Sequence, residues 1–313
     1  MTTTTTLEKV IEKIQETSAF HHDETVPVHE MEFDSLKRMW VSGKPVEVLL
    51  TAQRLLANRL KVPFTYLERC PEDLQARNLN YWIEQEQKKR AKLFCRFNAN
   101  RLRAVFTERY KPLDNLQILS EMMIHGFDPQ TKVQYAFDDK IFVLKVPDYA
   151  RTFGLRGDDK VVPGISFANS EVGLMAFNIQ AWFFRLVCTN GLISETKENV
   201  RFRHTSTKAI ENFQEVVGNV VLSLGSKSSQ FAFSMESRVD DPESSIASFG
   251  QRFGLTQDET KLVQRAYYLE PGYTMFQVIN AFTRAAQDRS LEPSNAYKLE
   301  KVGGQILSMV SHR

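Results

Sequence analysis

Between residues 164 and 193 the chain carries no Lys and no Asp, and its only charges are Glu171 and Arg185. A run this apolar belongs inside a fold. Polar residues interrupt it at two points, Asn169-Ser170-Glu171 and Cys188-Thr189-Asn190. Interruption there predicts buried strands over 165–170, 174–180 and 182–188, the first two turning at Glu171-Val172-Gly173. Strands joined by such short connections pair antiparallel.

The rest of the chain supplies hairpins and helices around this centre. Residues 92–97 and 101–107 alternate with period two about Asn98-Ala99-Asn100, and residues 133–137 and 141–146 do so about Asp138-Asp139-Lys140. Val200 to Thr205 predicts one more strand, with Arg201 and Arg203 on one face and Phe202 and His204 on the other. Phe231, Phe233 and Met235 alternate in the same way. Val26-Pro27-Val28-His29-Glu30-Met31 reads as an edge strand, where Pro27 is tolerated. Residues 45–90 read as helical, with Pro45 in a first turn and a break at Val62-Pro63. Leu56 to Leu67 has the apolar spacing of a helix-turn-helix, but Lys61 stands where a glycine is usual. Asp114 or Asn115 caps a helix that stops at Gly126. Thr256-Gln257-Asp258-Glu259 and Thr274-Met275-Phe276-Gln277 have the form of capping boxes.

The fold class expected is therefore α+β: an antiparallel sheet of hairpins with a helical N-terminal layer and a helical C-terminal segment. Residues 1–25 are expected to form a flexible or partly helical extension, with the threonine run Thr2 to Thr6 as low-complexity tail. Residues 26–240 form the core, and 241–313 a helical segment packed on it.

Charge is the second informative feature. The chain has a net charge of +2. Residues 88–111 hold nine Lys or Arg against one acid, Glu108. A local basic field on a mildly acidic body suits a polyanion better than a neutral metabolite. The three cysteines lack metal spacing and a paired framework, which fits a reducing cytoplasm. The apolar runs stop short of a membrane span, so no membrane association is expected.

Several separated motifs carry a family resemblance. They are Arg103-Ala104 with Arg109-Tyr110-Lys111-Pro112-Leu113-Asp114-Asn115; Pro163-Gly164-Ile165-Ser166-Phe167-Ala168-Asn169-Ser170-Glu171-Val172-Gly173; Arg185-Leu186-Val187-Cys188-Thr189-Asn190-Gly191-Leu192; and His204. Val62-Pro63 with Tyr66-Leu67 and Ala281-Phe282-Thr283 add to it. Together they resemble the phage/plasmid-like family known as domain of unknown function 932, over about residues 45–310. The resemblance implies a setting on phages, plasmids and mobile islands, among genes of DNA metabolism. It implies no reaction.

Three chemistries compete. Basic residues interleaved with Phe94, Phe97, Phe106 and Tyr110 suit single-stranded nucleic acid, with cations on phosphates and rings under bases. The residues expected to carry this are Lys92, Arg96, Arg101, Arg103, Arg109, Lys111, Arg201 and Arg203. Cys188, Asn190 and His204 are the residue types of a thiol hydrolase, but nothing precedes Cys188 to activate it. Asp138, Asp139, Asp158, Asp159 and Glu171 could serve a two-metal nuclease, yet both aspartate pairs fall where turns favour Asp.

The leading expectation is a non-enzymatic, nucleic-acid-associated protein of a mobile element, binding single-stranded DNA in recombination or replication. The alternatives are a protein-binding factor that counters a host defence or replication enzyme, and a metal-dependent nuclease. No cofactor is implied, and self-association is compatible with the sequence. The family motifs also hold a polar cluster, Asn169, Ser170, Glu171, Arg185, Thr189, Asn190 and His204, of which Asn169, Ser170, Glu171, Thr189 and Asn190 are read as turn and strand-end residues that fix the sheet register.

Overall fold

A computed structural model describes residues 3–155, 159–186, 190–194, 200–205 and 208–310. The chain is α+β, with two sheets rather than one. It opens with β1 (Thr3–Thr6), α1 (Leu7–Ser18) and β2 (His21–Pro27). The threonine run is thus no loose tail: β1 pairs antiparallel with residues 132–135. Helix α1 buries Leu7, Val10 and Ile14 on one stripe. Strand β2 ends where the sequence placed its start, so the edge strand lies earlier than Val26-Met31, with Pro27 at its end.

Next come β3 (Met31–Phe33), β4 (Arg38–Val41) and β5 (Lys44–Val48). Pro45 sits in β5 and not in a helix. It precedes Glu47, the first residue of β5 with a neighbour on both sides, so its missing N–H is tolerated. Helices α2 (Leu50–Leu60), α3 (Phe64–Leu67) and α4 (Glu72–Gln87) follow. Lys61 adopts the left-handed conformation at the end of α2, with φ 57°. Because α3 has only four residues, the helix-turn-helix pattern yields no second helix long enough to lie in a DNA groove. The hairpin β6 (Lys92–Asn98) and β7 (Arg101–Phe106) completes a six-stranded sheet in the order β2-β6-β7-β5-β4-β3. Its only parallel pair is β5 with β7. One apolar cluster, from Val26 to Val105, fills the space between this sheet and helices α2 to α4.

Helix α5 (Asn115–Ile124) leads to the second sheet. This comprises β8 (Lys132–Phe137), β9 (Phe142–Pro147), β10 (Phe153–Gly154), β11 (Lys160–Asn169), β12 (Phe177–Arg185), β13 (Asn190–Ser194) and β14 (Val200–Phe202), with β1 at its edge. Residues 182–185 continue β12 rather than starting a strand of their own, for no turn-forming residue separates Gln180 from Trp182. Alternation then sorts the faces. Ile165, Phe167, Phe177, Ile179 and Phe183 join the larger apolar cluster, while Ser166, Gln180 and Trp182 face the other way.

The remaining elements are helices: α6 (Lys208–Glu211), α7 (Phe213–Ser223), α8 (Ser228–Glu236), α9 (Pro242–Arg252), α10 (Gln257–Tyr267), α11 (Met275–Ala285) and α12 (Pro293–Met309). The alternation of Phe231, Phe233 and Met235 is resolved as α8. Phe231 packs against Phe153 and Phe183 there, and a pattern this short suits either periodicity. Helix α12 lies against β13 at Gly304, where a Cβ would come within 1.8 Å of the Ile193 carbonyl oxygen. Its Glu300 makes a buried ion pair of 2.6 Å with Lys145. No helix among the described residues is long and apolar enough to cross a membrane.

Candidate functional site

The β6–β7 hairpin brings its arginines to the turn between β11 and β12. Arg103 donates to the Glu171 carboxylate at 2.7 Å and to His21 Nδ1 at 2.9 Å. The second Glu171 oxygen accepts the Asn115 backbone N–H at 2.9 Å. Arg96, aimed inward beside an irregularity in the β6–β7 register, has three partners: Asp23 at 2.8 Å, the Glu171 carbonyl oxygen at 2.9 Å and the Asp114 carboxylate. Tyr110 also donates to the Glu171 carbonyl. Its ring stacks on Phe106 at 3.8 Å and on His204 at 5.3 Å. Gly173 allows this packing: its φ is +77°, and a Cβ would lie 2.5 Å from the Phe106 ring.

The electrostatics follow from burial and pairing. Burial works against the Glu171 carboxylate, but Arg103 outweighs it and holds its pKa below the usual carboxylate range. Burial likewise opposes the Arg96 charge, yet Asp114 and Asp23 keep it above the ordinary arginine value. Burial and then Arg103 lower His21 to about 4. Burial and Arg96 lower His204 as well, and burial pushes Tyr110 up to about 12. The paired charges of Arg96, Arg103, Asp23, Asp114 and Glu171 form an ionic network between the two sheets.

Next to the network a cleft of ≈ 450 Å³ opens between α1, the β6–β7 hairpin and the β8–β9 turn. Its polar lining includes Arg101, Arg103, His21, Glu171, Asp138, Asp139 and Lys140. Asp138 accepts the backbone N–H groups of Lys140 and Ile141, both at 2.8 Å. That is the turn chemistry its position predicts.

The residues expected to bind nucleic acid divide. Arg96 and Arg103 are buried and spent on carboxylates, so they form no part of an exposed basic track. Lys92, Arg101, Arg109, Lys111, Arg201 and Arg203 are exposed. The Lys111 N–H donates to the His204 carbonyl at 2.8 Å. That bond joins the 109–111 segment to the end of the 201–205 segment, where the Tyr110 ring stacks on the His204 ring. Of the interleaved aromatics, Phe97 and Tyr110 are buried and Phe94 and Phe106 half-buried. They supply packing rather than a stacking platform.

The family-motif residues also divide. Asn169 donates to the Leu113 carbonyl and to the Asn115 side chain, both at 2.9 Å. Ser170 donates to the Lys140 carbonyl at 2.6 Å and accepts the Leu174 N–H. With Glu171 and His204 they form one end of the β11–β12 hairpin. Arg185 lies at the other end, paired with Asp159 at 2.6 Å and Glu270 at 2.7 Å, its guanidinium over the Phe276 ring. Asn190 pairs with Arg185 in the β12–β13 ladder. Cys188 and Thr189 lie outside the described residues, as does Asp158. Among the described residues, no group of three or more His, Cys, Asp or Glu is arranged to hold a metal ion. His21 and Asp23 fall in the 1–25 extension expected from the sequence and are not among its expected site residues, because they sit on an edge strand of largely exposed residues, with no apolar alternation to mark it.

A family model described as a domain of unknown function (DUF932) matches residues 103–288. That span exceeds half of the chain, which therefore belongs to this family. It contains Arg103, Tyr110, Asn115, Glu171 and His204, whereas His21, Asp23 and Arg96 precede it. No curated protein and no solved structure matches the chain.

Proposed function

We propose that the protein is a non-enzymatic, nucleic-acid-associated factor of a phage, plasmid or other mobile element, acting in recombination or replication. The observation that carries this reading is the patch created by the Lys111–His204 backbone bond. Arg109, Lys111, Arg201 and Arg203 come from the two segments that this bond joins, and all four are exposed. Among the described residues none of them has a carboxylate partner, unlike Arg96, Arg103 and Arg185. Exposed, unneutralised cations on joined segments suit phosphate oxygens. Since the nearby aromatics are interior, phosphate contact leads and base stacking at the hairpin does not. A preference for single strands therefore has no support at this surface. Filter binding of single- and double-stranded DNA over a salt series tests the reading: affinity falls steeply with salt for both. Affinity indifferent to salt sinks it.

A second reading, a protein-binding factor, draws on Tyr268, Leu269 and Tyr273, which are 59%, 67% and 69% exposed around the α10–α11 connection. Exposed apolar residues clustered in this way mark interaction surfaces. Recovery of one partner after nuclease treatment, abolished by Leu269→Asp, favours it.

A further inference from the structure

The cleft beside the ionic network holds chemistry that none of the contacts above uses. Its ≈ 450 Å³ falls within the roughly 300–1,000 Å³ of small-molecule sites. Most of its charges are already satisfied. Arg103 and Glu171 neutralise each other, Lys140 is held by Glu292 at 2.8 Å, and Asp138 is occupied by its own turn. Arg101 and Asp139 remain. They are exposed and of opposite sign, and among the described residues neither has an ion-pair partner.

His21, which also lines the cleft, adds a donor whose tautomer is fixed. A guanidinium cannot accept a hydrogen bond, so His21 Nδ1, 2.9 Å from Arg103 Nη1, is the acceptor. The ring is then neutral and carries its proton on Nε2. Ile14, Leu49, Phe137 and Ile141 supply an apolar wall.

We propose that this cleft binds a nucleoside monophosphate unit, either a free nucleotide or the terminal nucleotide of a strand. The phosphate pairs with Arg101, whose planar fork matches phosphate oxygens, and receives a second donor from His21 Nε2. Asp139 accepts from an exocyclic amine or a sugar hydroxyl, and the base covers the apolar wall. A free amino acid would match the two open charges but leave the wall and most of the volume unfilled. A triphosphate would bring further negative charge towards Asp138, Asp139 and Glu171, which disfavours it. The strand-terminal form rests on the nucleic-acid reading above; the free form does not.

Calorimetric titration of the full chain with dAMP, deoxyadenosine and inorganic phosphate tests the assignment. dAMP is expected to bind saturably, with nucleoside and phosphate alone each roughly tenfold weaker or more. Arg101→Ala and Asp139→Asn are each expected to weaken dAMP by roughly tenfold. Both residues are exposed, and a thermal melt of each variant verifies that it folds. A 5′-phosphorylated oligonucleotide displaced by dAMP identifies the strand-terminal form; dAMP binding without displacement identifies the free nucleotide. Duplex DNA lacking terminal phosphates, titrated in parallel, reports on the surface patch alone, so the two readings fail separately. Absence of saturable dAMP binding, or binding indifferent to Arg101→Ala, overturns the proposal.

Discussion

Arg103 Nη2 lies 2.7 Å from Glu171 Oε2, and the two side chains are only 8% and 7% exposed. The pair links the sheets: Arg103 stands on β7 of the smaller one, and Glu171 in the β11–β12 turn of the larger one. Asn115, His21 and Arg96 complete the coordination around it.

Removing one partner leaves a buried charge alone. Arg103→Met is expected to cost about 3–5 kcal/mol of unfolding free energy. Adding Glu171→Leu to it should recover part of that loss, because the stranded carboxylate goes with it. Urea unfolding of the two single variants and the double variant measures the coupling. A cost for Arg103→Met below about 1 kcal/mol, the range of exposed pairs, contradicts the assigned role.

The network also predicts acid sensitivity. His21 titrates at about 4 in the fold against 6.5 ordinarily. Between those values the unfolded chain binds a proton that the folded one does not, so stability falls as pH drops through that window. The lowered pKa of His204 acts in the same direction below 6.5. Glu171, held below 4.5, extends the loss to lower pH. The urea midpoint should therefore decline from pH 7 to pH 4.5, and decline less in His21→Gln. An equal decline in both proteins removes His21 from the account.

Lys61 holds the left-handed conformation at the end of α2, a position glycine occupies at lower cost. Lys61→Gly is expected to stabilise the protein by about 1 kcal/mol, read as a rise in thermal midpoint. A fall would mean that the lysine side chain contributes packing that outweighs the backbone strain.

Local signals in the sequence located the hairpins and several helix ends. The β6–β7, β8–β9 and β11–β12 turns fall where turn-prone residues break period-two alternation. Thr256 and Glu259 form the reciprocal capping box their spacing implies. Thr274 does not, since its hydroxyl bonds the Gln277 side chain instead of a backbone N–H. Long-range facts were not legible. Thr3 to Thr6 became a strand only because β8 offers an edge more than a hundred residues away. Period-two spacing put Arg101 and Arg103 on one face, but it cannot say that Arg103 is covered while Arg101 stays open. The carboxylates that meet Arg96 and Arg103 come from three segments, at Asp23, Asp114 and Glu171. A run of positive charge in one segment does not reveal partners so distant in sequence.

The most direct measurement is the salt dependence of DNA affinity for the unaltered protein and for Arg109→Glu with Arg203→Glu. Four phosphate contacts on duplex DNA predict a slope of log affinity against log salt of about −3.6, with about 0.9 for each contact. The double variant should lose about half of that slope and bind at least roughly tenfold more weakly at low salt. An unchanged slope and affinity would contradict the assignment of the 109–111 and 201–203 surface to nucleic acid.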